Sequence, residues 1–182
     1  MALKKGMVHR KSSIRQARHG QLFWLLWLGL LSSFPLHAQT SFAVLEFELK
    51  DLTLDPYNRE EMERTASIKP LFEKTLETRG NYKIVGIERS SQKNADVATG
   101  YLFDHADTAA ELGKEHGADF IVVGRVHKAS FLFVYLMVHL IDTHSGRLAG
   151  NYICEVKGPQ KKLTVKGVEC LVEKIHKTLH PN

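Results

Sequence analysis

The chain has 182 residues, with 25 Lys and Arg, 20 Asp and Glu, and a formal net charge of +5. Six of the basic residues (Lys4, Lys5, Arg10, Lys11, Arg15 and Arg18) precede the first acidic one, so beyond position 38 the balance is 19 basic against 20 acidic. That near-neutral remainder withdraws the electrostatic support for nucleic-acid binding, and its 144 residues suit one domain, 39–182.

The basic stretch leads into an apolar run from Leu22 to Leu31, followed by Ser32, Ser33, Pro35 and Ala38. A positive n-region, a short h-region and a small residue at its end are the parts of a secretory signal peptide. The expectation is a signal peptide over 1–38, cleaved after Ala38, and a periplasmic protein. The alternative is a retained anchor. A spanning helix needs about 20 apolar residues, and Ser32, Ser33 and Pro35 interrupt this run.

Phe42 to Leu49 alternates, which predicts a first strand with Ala43, Leu45, Phe47 and Leu49 on one face. Lys50 to Asn58 reads as a polar loop. Arg59 to Arg79 reads as helix with a break near Ala66 to Lys69, where Ser67 can cap a second segment whose third residue is Pro70. Tyr82 to Val85 is a short strand, and Ser91 to Val97 a short helix. Asp107 is placed to cap a helix through His116. Phe120 to Val126 is a continuous apolar run, expected as a central strand. A tight connection at Lys128 and Ala129 leads to a long strand, Phe131 to Asp142. Gly146 suits a hairpin turn, Arg147 to Val156 returns, and Leu163 to Leu179 forms a last helix with Val165, Val168, Leu171, Val172, Ile175 and Leu179 on its apolar side. The predicted order is β-α-β-α-β-β-β-α. It implies an α/β fold: a two-layer sandwich with a mixed five-stranded sheet and helices mainly on one face.

Particular residues in this order carry a resemblance. Ala43-Val-Leu-Glu-Phe-Glu48, Tyr82-Lys-Ile-Val85, the run from Ala110 through Gly117-Ala-Asp119 to Val126, and Leu140-Ile-Asp-Thr-His-Ser-Gly-Arg-Leu148 together resemble the CsgG and TolB N-terminal-like domains. The similarity runs from Phe42 to Val156 and is strongest toward short secreted bacterial proteins of a domain-of-unknown-function family. It implies the α/β architecture and an envelope protein that binds other proteins or assembles, without a shared catalytic centre. This chain departs from the wider group in having neither a lipid-anchor Cys after its apolar run nor an obvious pore-forming insertion. No active site is carried over.

Seven histidines follow position 38, yet no H-E-x-x-H, C-x-x-C or EF-hand spacing occurs. No catalytic, cofactor or metal residue is therefore assigned. The best local constellation is Gly100 to His105, where Asp104 and His105, with Asp107 nearby, could ligate a metal or, with Tyr101, bind a small polar ligand, or where Tyr101 and Phe103 simply anchor a loop while Asp107 caps the next helix. His139, amid aromatics, reads as a packed histidine. Asp51, Asp55, Glu46 and Glu48 cluster near the end of the first strand, where two close carboxylates could do acid–base work or bind Ca²⁺, and read foremost as an acidic solvated loop. Cys154 and Cys170 form an isolated even pair, a candidate disulfide in an oxidising compartment. Finally, Phe131, Phe133, Tyr135 and Met137 share one side of the long strand. Left uncovered, they would offer a patch to an envelope protein or a second copy.

Overall fold

The computed structural model describes residues 39–56, 58–156 and 160–181; the expected signal peptide lies outside them. Six strands form one mixed sheet: β1 (Ser41–Val44), β2 (Glu48–Asp51), β3 (Lys83–Val85), β4 (Phe120–Lys128), β5 (Val134–Asp142) and β6 (Arg147–Val156). Their order is β3-β1-β4-β5-β6, with β2 lying beyond β1 along the same side of β4. The first pairings are parallel and the β4–β5–β6 meander is antiparallel. Among the described residues six helices accompany them: α1 (Arg59–Ala66), α2 (Ile68–Gly80), α3 (Arg89–Ala95), α4 (Tyr101–Asp104), α5 (Ala106–Glu115) and α6 (Gln160–Leu179).

The α/β class and mixed sheet are as expected, but the helices cover both faces, so the two expected layers are three. On one face α2 (Ile68, Phe72, Leu76) and α6 (Val168, Leu171, Val172, Ile175) pack on Phe42, Val44, Val122, Val126 and Leu136. On the other, α4 and α5 (Leu102, Phe103, Ala109, Ala110, Leu112) pack on Ala43, Leu45, Ile121, Val123 and Ile141. The reason is the strand order. The chain runs from β1 outward to β3, then back past β1 to β4. Right-handed crossovers in opposite directions put their helices on opposite faces.

The sixth strand comes from a break in the predicted first one. Val44 lies opposite Val122 and Glu48 opposite Arg125, so one strand line advances four residues while β4 advances three. One inserted residue reverses the alternation. Ala43 and Leu45 face α5, whereas Phe47 and Leu49 face α2, correcting the single face expected for all four. The side-chain amide of Gln92 takes the place of a neighbouring strand at the insertion. Its Oε1 accepts the Glu46 N–H at 2.8 Å and its Nε2 donates to the Glu46 carbonyl at 3.0 Å. Phe47 then lies over Gly124, where a Cβ would stand 2.3 Å from the ring.

Smaller corrections have local causes. α1 and α2 do break at Ser67, but its hydroxyl donates to the Arg64 carbonyl at 2.6 Å instead of capping α2. Asn58 caps α1 through the Glu61 N–H. Asp107 lies inside the first turn of α5, favourable to the helix dipole, while His105 occupies the cap position. β5 starts at Val134 because Ala129 to Phe133 is a loop, closed by the Ala129 N–H on the Phe133 carbonyl at 3.1 Å.

Candidate functional site

Two ion clusters hold β2 against β4, one on each face of the sheet. Glu48 and Arg125 are direct partners in the parallel ladder, as are Asp51 and Lys128. An odd spacing of three residues sends the two pairs to opposite faces.

The Lys128 cluster is buried. Its Nζ lies 3.2 Å from Asp51 Oδ2 and 3.2 Å from Glu61 Oε1 of α1, and Glu61 also contacts Arg64. Asp51 Oδ1 accepts the Thr53 N–H at 3.0 Å and the Thr53 hydroxyl at 2.7 Å. Burial pushes the Asp51 carboxyl pKa up, but the Thr53 hydrogen bonds and the Lys128 hydrogen bond and charge outweigh it and hold the group below its ordinary value. The expected acidic solvated loop is thus corrected at Asp51. A lysine 77 residues away neutralises it, and sequence spacing alone gives no sign of that.

Above this cluster two loops lie side by side. The Leu52 N–H donates to the Lys128 carbonyl at 3.0 Å, and Lys128 Nζ is 5.4 Å from the Phe131 ring centre. Ser130 Oγ accepts the Leu132 and Phe133 N–H groups, both at 3.2 Å, and shapes the second loop. Leu54 is 98% exposed, Leu132 74% and Phe131 69%, with Leu52 and Phe133 exposed beside them. Of the four patch residues expected, Phe131 and Phe133 are on this tip. Tyr135 and Met137 are not: they are half-buried on β5, and Met137 packs against the cluster under α4 and α5. The late start of β5 separates the two pairs.

The second ion cluster carries Gly100–His105, expected as a loop but folded as the short helix α4 between Gly100 and His105. Arg125 contacts Glu48, approaches Asp104 Oδ2 at 3.4 Å and lies 3.9 Å from the Phe103 ring centre. Phe103 stacks on His139 at 3.9 Å, and His139 Nδ1 is 3.0 Å from the Phe103 carbonyl. Burial holds the His139 pKa below its ordinary value, more strongly than the Phe103 hydrogen bond raises it. Gly100, at φ +82°, is required here, since a Cβ would come 2.6 Å from a Glu48 oxygen. Tyr101 and His105 stack at 3.9 Å, and His105 Nδ1 is 2.9 Å from the Tyr101 carbonyl. The polar atoms of this loop are therefore largely engaged with one another and with the sheet.

Cys154 of β6 and Cys170 of α6 are joined, S–S 2.02 Å. Among the described residues, no group of three or more His, Cys, Asp or Glu is placed to hold a metal ion, and no helix is long and apolar enough to cross a membrane.

Together these features define a three-layer α/β domain with a mixed sheet and an apolar tip built on a buried ion cluster. The chain belongs to the DUF3280 family, described as protein of unknown function (DUF2380), whose model matches residues 40–175. Its structure is similar to the PelC dodecamer from Paraburkholderia phytofirmans, with 14% identity over 79% of this chain and 89% of that one, TM-score 0.50. It is similar to lipoprotein GNA1162 from Neisseria meningitidis, with 14% identity over 77% of this chain and 99% of that one, TM-score 0.52. TolB from Acinetobacter baumannii also matches, with 11% identity over 79% of this chain and 29% of that one, TM-score 0.49. At such identities the likeness is one of fold. No curated protein matches the sequence significantly.

Proposed function

We propose that this protein is a non-catalytic interaction module of the bacterial cell envelope, exported to the periplasm, that assembles through its apolar tip with an envelope protein or with further copies of itself. The observation that carries the reading is the tip itself: Leu52, Leu54, Phe131 and Leu132 are exposed on adjacent loops. Scattered surface leucines are ordinary, but large apolar side chains gathered on the loops that follow β2 and β4 mark a candidate contact surface. The Lys128 cluster beneath them ties both loops to β2, β4 and α1, so the tip is ordered in advance and loses less entropy on binding.

Several observations support the setting. The leader has the parts of a signal peptide, and the Cys154–Cys170 bond suits an oxidising compartment. The motif resemblance to CsgG and TolB N-terminal-like domains belongs to the same reading. One protein of similar fold is described as a dodecamer and another as a lipoprotein. The test compares the native chain with Leu54→Ser/Phe131→Ser/Leu132→Ser by light scattering and by cross-linking in isolated envelopes. The reading expects an oligomer or cross-linked partner that the variant loses. Identical masses and cross-links in both would contradict it.

A further inference from the structure

His176 in the last turn of α6 and His180 just past its end lie one turn apart, the His180 N–H donating to the His176 carbonyl at 3.0 Å, and neither belongs to the tip or to the ion clusters. Residues four apart project from the same helix face. The His176 and His180 rings lie 4.7 Å apart, centre to centre. An imidazole nitrogen bonds zinc at about 2.0–2.1 Å, so two rings sharing one tetrahedral ion stand with their centres roughly 5 Å apart. The observed spacing is close to that value without rearrangement of the helix.

Tyr82 supplies what a ligating histidine needs on its other nitrogen. Its hydroxyl lies 2.8 Å from His176 Nδ1, which leaves His176 Nε2 as the available ligand atom. The tyrosine is itself fixed in place, with its ring 4.8 Å from Phe42 and almost fully buried. Its ring also lies 6.3 Å from that of His180 and nearly parallel to it. His176 is half-buried and His180 exposed, which gives an ion access from solvent. Glu173, three residues before His176 on α6, is engaged by Arg79 of α2 and by Lys177.

We infer that His176 and His180 form a bidentate site for a divalent ion of the zinc or copper class, oriented by Tyr82 and completed by water. Imidazole donors favour these ions over calcium and magnesium, which prefer oxygen. Binding is simple coordination: Nε2 lone pairs displace water from the ion, and no bond within the protein is broken.

The test is equilibrium dialysis of the untagged full chain against Zn²⁺ and, separately, Cu²⁺, with Ca²⁺ and Mg²⁺ as controls. The site predicts saturable binding of one Zn²⁺ or Cu²⁺ per chain and none of the controls. His180→Ala abolishes it, and Tyr82→Phe weakens it by about tenfold. His144→Ala, on the hairpin turn, leaves it unchanged. Because His180 is exposed, the thermal midpoint of His180→Ala without metal should match the native one, which separates loss of a ligand from loss of fold. Absence of Zn²⁺ and Cu²⁺ binding would overturn the inference, as would binding that survives His180→Ala.

Discussion

The two ion clusters flanking β2 look alike in the strand ladder and differ in almost everything else. Both pair a β2 carboxylate with the β4 cation directly opposite. Lys128 is enclosed, 4% exposed, and serves two buried acids. Arg125 reaches outward to Asp104, which is 63% exposed, and its guanidinium rests on Phe103. The same register is thus secured once by a cluster that cannot be wetted and once by one that is partly screened. The apolar tip stands on the first.

The largest expected effect comes from breaking the enclosed cluster. Lys128→Ala strands Asp51 inside the protein, and the loss should be about 3–5 kcal/mol in urea unfolding. Lys128→Met with Asp51→Leu should recover much of it, because the cost lies in the unpaired charge. Arg125→Ala removes a charged hydrogen bond to Glu48 and the contact with Phe103, and should cost about 1.5–3 kcal/mol. Asp104→Ala removes only an exposed partner and should cost less than about 1 kcal/mol. An Asp104 effect equal to that of Lys128 would erase the distinction between the clusters.

Acid separates them as well. Asp51 has its pKa lowered by folding, so its contribution is present above the unfolded value of about 3.9 and is lost as pH falls through the lower folded value. Asp51→Asn should flatten the stability curve there. His139 is also lowered by folding, so the unfolded chain binds its proton first as pH falls. Stability should therefore begin to drop near about pH 6.5 and keep dropping until the folded value is passed. His139→Gln should remove that step and leave the Asp51 limb in place, as read by thermal midpoints across pH.

Local pattern made most of the helix and strand inventory legible, including the break at Ser67 and the turn at Gly146, but not the split into β1 and β2 or the short α4. What it could not show depends on distant residues. Phe42 to Leu49 reads as an uninterrupted alternation, yet an insertion near Glu46 reverses it, satisfied by Gln92 far along the chain. Phe47 changes face because Gly124 leaves room for its ring. Asp51 looks like a loop acid until β4 brings Lys128 beside it. Phe131 and Phe133 were legible as a contact candidate, whereas Tyr135 and Met137 belong to a strand covered from the side opposite to α6. Layer count follows strand order, which periodicity does not encode.

The proposed assembly depends on contacts made by the apolar tip. Its most direct test is sedimentation equilibrium of residues 39–182 over a range of concentrations, beside Leu54→Ser/Phe131→Ser/Leu132→Ser, together with envelope cross-linking of both. The native chain is expected to associate or cross-link to a partner, the variant to do neither, and their thermal midpoints to agree. A native chain that stays monomeric and cross-links no differently from the variant would contradict it.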